Sequence, residues 1–330
     1  MHAIVCHEHG GPEVMRYDEV PQPEPTEREV LIRADAIGVN YVDTMRRSGK
    51  HPSAPKPPFT PGIEVCGRVT EIGSPQKTSR FQVGDRVIGR CVTHGAYAEY
   101  VCVEERFTLP CPDDLPAEQG AALFVTGQTA YHALITMGAA QPGDNVLVTA
   151  AAGGVGTCAV QIAKLLGARV IAAAGTSEKL GLAKELGADV LIDYTKTDWP
   201  QLVLEATDGA GADLIIESVG GAVAASSVNC WAAGGRMVIF GKASGTPATV
   251  SGDDLLFGNR VVYGLAVGTV IEDEPLMRRA MDELVRWVRD GSLRLQIYKT
   301  YPLRDAAKAH HDLAGRATHG KLLLIPSQSA

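Results

Sequence analysis

Six residues, Ala151 to Gly156 in the stretch VLVTAAAGGVGTCAVQIAKLLGARVIAAAG, form the most informative chemical motif of the 330-residue chain. The window matches GxGxxG except that Ala151 stands at the first glycine. A strand-like run precedes it. A helical pattern follows, with Val155, Cys158, Ala159, Ile162, Ala163 and Leu166 at the spacing of one face. The turn is therefore expected at the C-terminal end of a strand, where the free N–H groups of the helix and its dipole favour a phosphate. Gly153, Gly154 and Gly156 let the backbone approach that phosphate and let helix and strand pack closely, so a dinucleotide pyrophosphate fits the turn. The plainer alternative is a glycine-rich βα turn that binds nothing.

The tip of the next strand separates the two nicotinamide cofactors. An acidic residue there would take the ribose 2′-hydroxyl and reject a 2′-phosphate, but the tip reads AAAGTSEK and ends in Ala174 and Gly175. Ser177, Lys179 and, one strand later, Tyr194 supply a cation and two hydroxyls for a 2′-phosphate, which favours NADPH. Glu178 keeps NADH open as a ribose ligand, and it has a structural explanation as an acid in a helix's first turn.

These groups need elements to position them. Over the first 125 residues the sequence reads as short strands broken by Gly and Pro, among them EVLIRADAIGV, EVCGRVTEIG and GDRVIGR, the pattern of a β domain. The segment Pro52 to Pro61 reads as a rigid loop within it. From about Thr126 strands of Val, Ile, Leu and Ala alternate with helical stretches, which indicates a doubly wound parallel sheet covered on both faces. VAASSVNCWAAG is expected to be one of those helices. An amphipathic helix, EPLMRRAMDELVRWVRDG, follows, and strand, helix and strand close the chain. The expected division is 1–125, 126–270 and a C-terminal segment 271–330 that returns to the first domain.

Composition sets the outer bounds. With 45% hydrophobic and 21% charged residues the chain can build two cores. A net charge of −7 gives no general attraction to nucleic acid or an anionic membrane. No stretch reads as a membrane span or a targeting segment. Seven scattered cysteines without a CxxC pair argue against a disulfide framework and a structural zinc lobe, and a reducing cytoplasm is expected.

The runs GVNYVDTMRRSG, PGIEVCGRV, VGDRV, GAYAEY, VTGQTAYHAL, PGDNVLVTAAAGGVGTCAVQIAKLLGA, GADVLIDY and GKLLL resemble, in that order, the zinc-independent quinone oxidoreductases of the medium-chain dehydrogenase/reductase superfamily. The resemblance implies a GroES-like β domain made from both chain ends, an inserted Rossmann domain, a cleft between them and a homodimer paired along Rossmann sheet edges. It implies hydride transfer from NADPH to a quinone or a similar α,β-unsaturated carbonyl compound. Enoyl-thioester reduction and zinc-free alcohol or aldehyde reduction are the alternatives, followed by a non-enzymatic NADPH-binding protein. Zinc-dependent relatives place a cysteine where Asn40 stands and a histidine where Ile63 stands, so no metal is expected. His7, His9, His310 and His311 read as surface or interface histidines.

By the same similarity, Asn40 and Thr126 would lie at the nicotinamide end, and Gly154 and Val155 at the pyrophosphate. Phe240 and Gly241 would border the nicotinamide ribose, and Arg316 would reach a phosphate. Structural alternatives are a turn cap for Asn40, a helix N-cap for Thr126 and a solvated charge for Arg316. The family often carries tyrosines at the positions of Met45 and His51, so His51 becomes a candidate proton donor, or else an exposed loop residue. Arg46 and Arg47 read either as attractors of an acidic substrate or as solvated surface charges.

Overall fold

The structure is a computed structural model that describes residues 1–73 and 79–326. It divides into two compact units, 1–125 with 297 onward, and 126–296. In chain order the first unit begins with strands β1 (His2–Cys6), β2 (Met15–Glu19), β3 (Glu29–Val39), β4 (Glu64–Ile72), β5 (Arg86–Arg90), β6 (Tyr100–Glu104) and β7 (Thr108–Pro110). The second contributes β8 (Asn145–Thr149), β9 (Arg169–Ala174), β10 (Val190–Asp193), β11 (Ala212–Glu217), β12 (Trp231–Ile239) and β13 (Val261–Gly264). The chain then returns to the first unit with β14 (Ile297–Pro302) and β15 (Lys321–Ile325).

In the first unit β1 and β2 form an antiparallel pair, and the other strands form a seven-stranded sheet in the order β14-β15-β3-β4-β5-β7, with β6 paired to β3. β3 is its spine. Val30, Leu31, Ile32, Ala36 and Ile37 are buried on both faces of this strand, because it is hydrogen-bonded to three neighbours and covered on both sides. The last strand lies antiparallel beside β3, with Leu323 opposite Gly38, so the C-terminus completes the sheet that the N-terminus begins.

The second unit is one parallel sheet in the order β10-β9-β8-β11-β12-β13. The strand order reverses between β8 and β11, and in such sheets ligands bind beyond the carboxyl ends of the strands at that reversal. Leu147, Ile171, Ile215 and Met237 fill one face with Trp199 and Val203 of the helix Trp199–Ala206.

Two expectations are corrected in detail. The return to the first unit begins at Ile297, and 271–296 groups with the second unit. Two side chains tie that segment there: Gln128 Nε2 donates to Met277 O at 2.8 Å, and Gln161 bonds both main-chain groups of Arg294. The expected helix over VAASSVNCWAAG ends early, because Gly221–Ser227 is helical and Trp231 already begins β12. The pairing of β11 with β12 shifts register between Ala212 and Leu214, and Gly234, at φ +71°, supplies the left-handed backbone within that stretch.

Candidate functional site

The glycine turn leaves β8 through Ala150, which sits at φ +48°, and enters the helix Gly154–Leu165 with Gly153 as its N-cap. Gly153 has no side chain to cap the helix, so the first N–H groups face outward from the end of β8. Gly156 is fixed by packing, because a Cβ there would lie 2.3 Å from Ala150 O. Ala151 explains its own departure from the glycine pattern: it lies outside the left-handed region, its side chain is buried, and its N–H donates to Ala173 O. No glycine is needed there. The helix is buried around most of its circumference, Thr157 and Gln161 included, which is more than the one apolar face read from the sequence.

At the tip of β9, Thr176 caps the helix Ser177–Glu185 by accepting from the Lys179 N–H. Ser177 is exposed and Lys179 and Tyr194 are half-buried. The Tyr194 ring lies beside Gly175, at 3.4 Å from where a Cβ would stand, so the three residues chosen for a 2′-phosphate gather around one strand tip. At the ends of β11 and β12, Phe240 N–H donates to Glu217 O, and a Cβ on Gly241 would lie 2.9 Å from Ser218 O. Glu217 is fully buried and accepts from the Val219 and Gly220 N–H groups at 2.5 and 2.6 Å. Burial raises its carboxyl above the usual range, against those two bonds. The sequence reading did not single out Glu217.

In the first unit the chemistry is carried by side chains. Asn40 caps the helix Tyr41–Arg47, and Asp43 accepts from its N–H at 2.9 Å. The Asn40 amide is turned to a buried ion pair: Lys321 Nζ donates to Asn40 Oδ1 at 2.6 Å and to Glu64 Oε2 at 2.7 Å, and Asn40 Nδ2 donates to the same Glu64 oxygen at 3.2 Å. The other Glu64 oxygen accepts from the Val125 N–H at 2.9 Å. Lys321 and Glu64 are 4% and 0% exposed at the side chain, so every charge in this group is neutralised inside the protein.

A second chain of bonds continues from Asp43. Tyr97 Oη donates to Asp43 Oδ2 at 3.2 Å and accepts from His310 Nε2 at 2.9 Å, while Arg47 Nη1 donates to His310 Nδ1 at 3.0 Å. This fixes His310 as the neutral tautomer with its proton on Nε2. Burial, then the Arg47 charge, brings its pKa down to about 3. Burial pushes the Asp43 carboxyl up to about 6, partly offset by the Asn40 N–H and by Arg46, Lys321 and Tyr97.

Several expectations change here. His310 is a core residue, and Arg46 and Arg47 are buried, so the surface reading of the arginines does not hold. Arg46 donates to Thr93 O and Ser53 Oγ, and Arg47 to Gly10 O. Thr126 lies within the helix Ala117–Tyr131, which removes the N-cap alternative. Arg316 is exposed at φ +57° just past the helix Ala306–Ala314, in the first unit. His51 Nδ1 accepts from the Ser53 N–H at 3.1 Å, which leaves the proton of a neutral ring on Nε2.

A catalytic zinc needs about three converging nitrogen, sulfur or carboxylate ligands. Ile63 is a core side chain, Asn40 offers an amide, and Glu64 already holds an ammonium, so this donor set does not fit zinc. Among the described residues no three His, Cys, Asp or Glu side chains converge on a metal position.

Two family models match, the alcohol dehydrogenase GroES-like domain over 26–113 and the zinc-binding dehydrogenase over 154–286. The chain is 38% identical to a quinone oxidoreductase of Pseudomonas aeruginosa, covering 96% of this chain and 97% of that one. It is 35% identical to a 2-haloacrylate reductase of a Burkholderia species, over 98% of each. The crystal structure of Escherichia coli quinone oxidoreductase complexed with NADPH superimposes with a TM-score of 0.94 at 34% identity, covering 99% of this chain and all of that one.

Proposed function

The chain belongs to the quinone oxidoreductase family of the medium-chain dehydrogenase/reductase superfamily, and on that premise we propose that it is an NADPH-dependent, zinc-free reductase of quinones or similar α,β-unsaturated carbonyl compounds. The observation that carries the zinc-free part is the Lys321 ammonium seated between Asn40 and Glu64, a cation that belongs to the protein itself.

The residues fit the cofactor. The N–H groups of Gly154, Val155 and Gly156, with Gly153 before them, would take the pyrophosphate, and Ser177, Lys179 and Tyr194 the 2′-phosphate. Phe240 and Gly241 would border the nicotinamide ribose and Arg316 would reach a phosphate. Bound NADPH supplies a hydride to an electrophilic carbon. The protein orients the reacting groups and excludes water. Asn40 and Thr126 would hold the nicotinamide end, with the Asn40 amide oriented by Lys321 and Glu64, and His51, once its ring has taken up a proton from solvent, would donate the proton that completes reduction.

The likeness to a 2-haloacrylate reductase favours activated alkenes as a second substrate class. The test is chelator-treated, metal-free protein given NADPH or NADH with a quinone, a 2-haloacrylate or an enoyl thioester, with the nicotinamide absorbance recorded. Quinone-dependent oxidation of NADPH in preference to NADH is expected. Activity that returns only with added zinc sinks the metal-free reading, and faster turnover of an alkene moves the substrate class.

The pairing surface we assign is the edge strand β13, where Val261 and Tyr263 are exposed beside Leu256 and Phe257, the latter 82% exposed. The protein is expected to sediment as a homodimer, and a monomer at micromolar concentration would exclude this edge. Seven free cysteines favour a reducing cytoplasm, which fractionation of the source cells would check.

A further inference from the structure

Among the seven cysteines, the sulfurs of Cys66 and Cys111 lie side by side. Their sulfurs are 3.7 Å apart, although 45 positions separate them in sequence. Cys66 lies on β4 opposite Ile88 of β5, and Cys111 follows β7, the strand on the other side of β5. Cys66 is fully buried; Cys111 keeps a small exposed area and opens into the loop 111–116.

Arg86 organises that loop. Its guanidinium donates to the carbonyls of Pro112, Asp113 and Leu115 at 2.8 to 3.0 Å, and its main-chain oxygen accepts from the Cys111 N–H. The positive charge is thereby held near both sulfurs, but the bond to Cys111 and then burial hold the Cys66 thiol well above the usual range, so only Cys111 is favoured as a thiolate. The bond from Cys66 is the main cause that lowers the Cys111 thiol, against burial and with Arg86 in support, whereas burial pushes Cys6 up to about 11 and Cys91, Cys102 and Cys230 up to about 12. Cys111 differs in this from those four thiols, and Cys66 differs from them in having a second sulfur beside it.

We propose that Cys66 and Cys111 are an oxidisable dithiol, at which a hydroperoxide closes a reversible disulfide between β4 and the end of β7. The Cys111 thiolate attacks the terminal peroxide oxygen, the O–O bond breaks, and the leaving oxygen takes up a proton as water or an alcohol. Cys111 is oxidised to the sulfenic acid. The Cys66 thiol then gives up its proton, its sulfur attacks the Cys111 sulfur, and the S–O bond breaks to release water. One peroxide is reduced for two thiols oxidised. An S–S bond of about 2.05 Å requires the sulfurs to close by under roughly 2 Å, and because β5 lies between the two strands the chain after β7 must shift toward β4 as the bond forms.

The sulfur of Cys66 also supports the helix Ala117–Tyr131, since a Cβ on Gly120 would meet it at 2.6 Å. The same helix supplies the Val125 N–H to Glu64. A bond that draws this sulfur toward Cys111 therefore acts on the packing beneath the Asn40 cluster.

The test is peptide mapping of the folded full-length protein after graded hydrogen peroxide, with thiols blocked before digestion. The expected result is a peptide joining residues 66 and 111, formed at peroxide concentrations that leave Cys102 unmodified and lost on treatment with dithiothreitol. Cys111→Ala should remove the cross-link and leave Cys66 reduced. Oxidation of Cys111 to the sulfinic acid with no joined peptide in the wild-type protein overturns the proposal, as does prior oxidation of Cys102. The wild-type result decides the matter even where the variant fails to fold.

Discussion

The second unit builds its candidate cofactor site from main chain at the ends of β8 and β12 and from side chains close in sequence at the tip of β9, whereas the first builds its buried chemistry from side chains brought together across its sheet. The two buried glutamates make the contrast concrete. Glu217 is held by the N–H groups of Val219 and Gly220, two and three residues ahead of it. Glu64 is held by Lys321, 257 positions away, and by Asn40. Local dipoles suffice at a strand end because the chain turns there and presents unpaired N–H groups. Glu64 also heads a strand, but the one main-chain N–H it receives comes from Val125 and leaves its other oxygen to Lys321 and Asn40, so there the charge is balanced by an ion.

The largest expected effect breaks that ion pair. Lys321→Met leaves the Glu64 carboxylate buried without its cation and the Asn40 oxygen without its donor, which should cost about 3–5 kcal/mol in urea unfolding. Adding Glu64→Gln should recover much of this, because a neutral amide oxygen still accepts from the Val125 N–H. A loss below about 1 kcal/mol would mean that water reaches the pair, as it does at surface salt bridges.

The counterpart in the second unit is Gly156→Ala. The added Cβ would meet Ala150 O at 2.3 Å and Ala151 main-chain atoms at 2.8 Å, and neither can swing aside as a side chain does. The helix start must shift, and NADPH affinity should fall about tenfold or more, some 1.4 kcal/mol. Gly181→Ala, in a helix with open space at the Cβ, should leave NADPH affinity unchanged. Equal binding by both variants would remove the phosphate from this turn.

The same contrast governs what the sequence made legible. The second unit was readable as a doubly wound sheet because each strand, turn and helix is a contiguous run, and the glycine turn lies within one window of it. The spine β3 was readable for the same reason. Asn40 was reached through the family resemblance, and its partners were missed. Lys321 looked like the start of an ordinary last strand, Glu64 was weighed only as a poor zinc ligand, and His310 as a surface histidine. No periodicity links positions 40, 64 and 321 until β15 lies beside β3 and β3 beside β4. The strand β7 escaped because three residues carry too little alternation to separate from loop, and β2 because MRYDE is mostly polar, as a loop is.

The smallest expected effect sharpens the comparison through pH. Both nitrogens of His310 are committed in the neutral ring, so protonation would set an Nδ1–H against the Arg47 N–H. Its folded pKa of about 3 lies below an unfolded value of about 6.5. On acidification through that interval the unfolded chain takes up a proton that the folded chain refuses, so stability falls as pH falls, by about 1.4 kcal/mol per pH unit. His132, bonded to Gln128 and Thr136 and lowered by burial to about 4, acts in the same direction over a narrower interval. Asp43 opposes them: with a folded pKa of about 6, it holds a proton that the unfolded chain has lost above about pH 4, so it costs stability as pH rises toward 6. His310→Gln keeps a donor for Tyr97 and an acceptor for Arg47 but cannot titrate. Urea midpoints taken between about pH 4 and 6 should therefore change less steeply than in the wild type, by about 1.4 kcal/mol per pH unit. Parallel curves for the two proteins would mean that His310 is protonated or solvated in the folded state, and that the first unit does not hold its ionisable groups as dry as their burial requires.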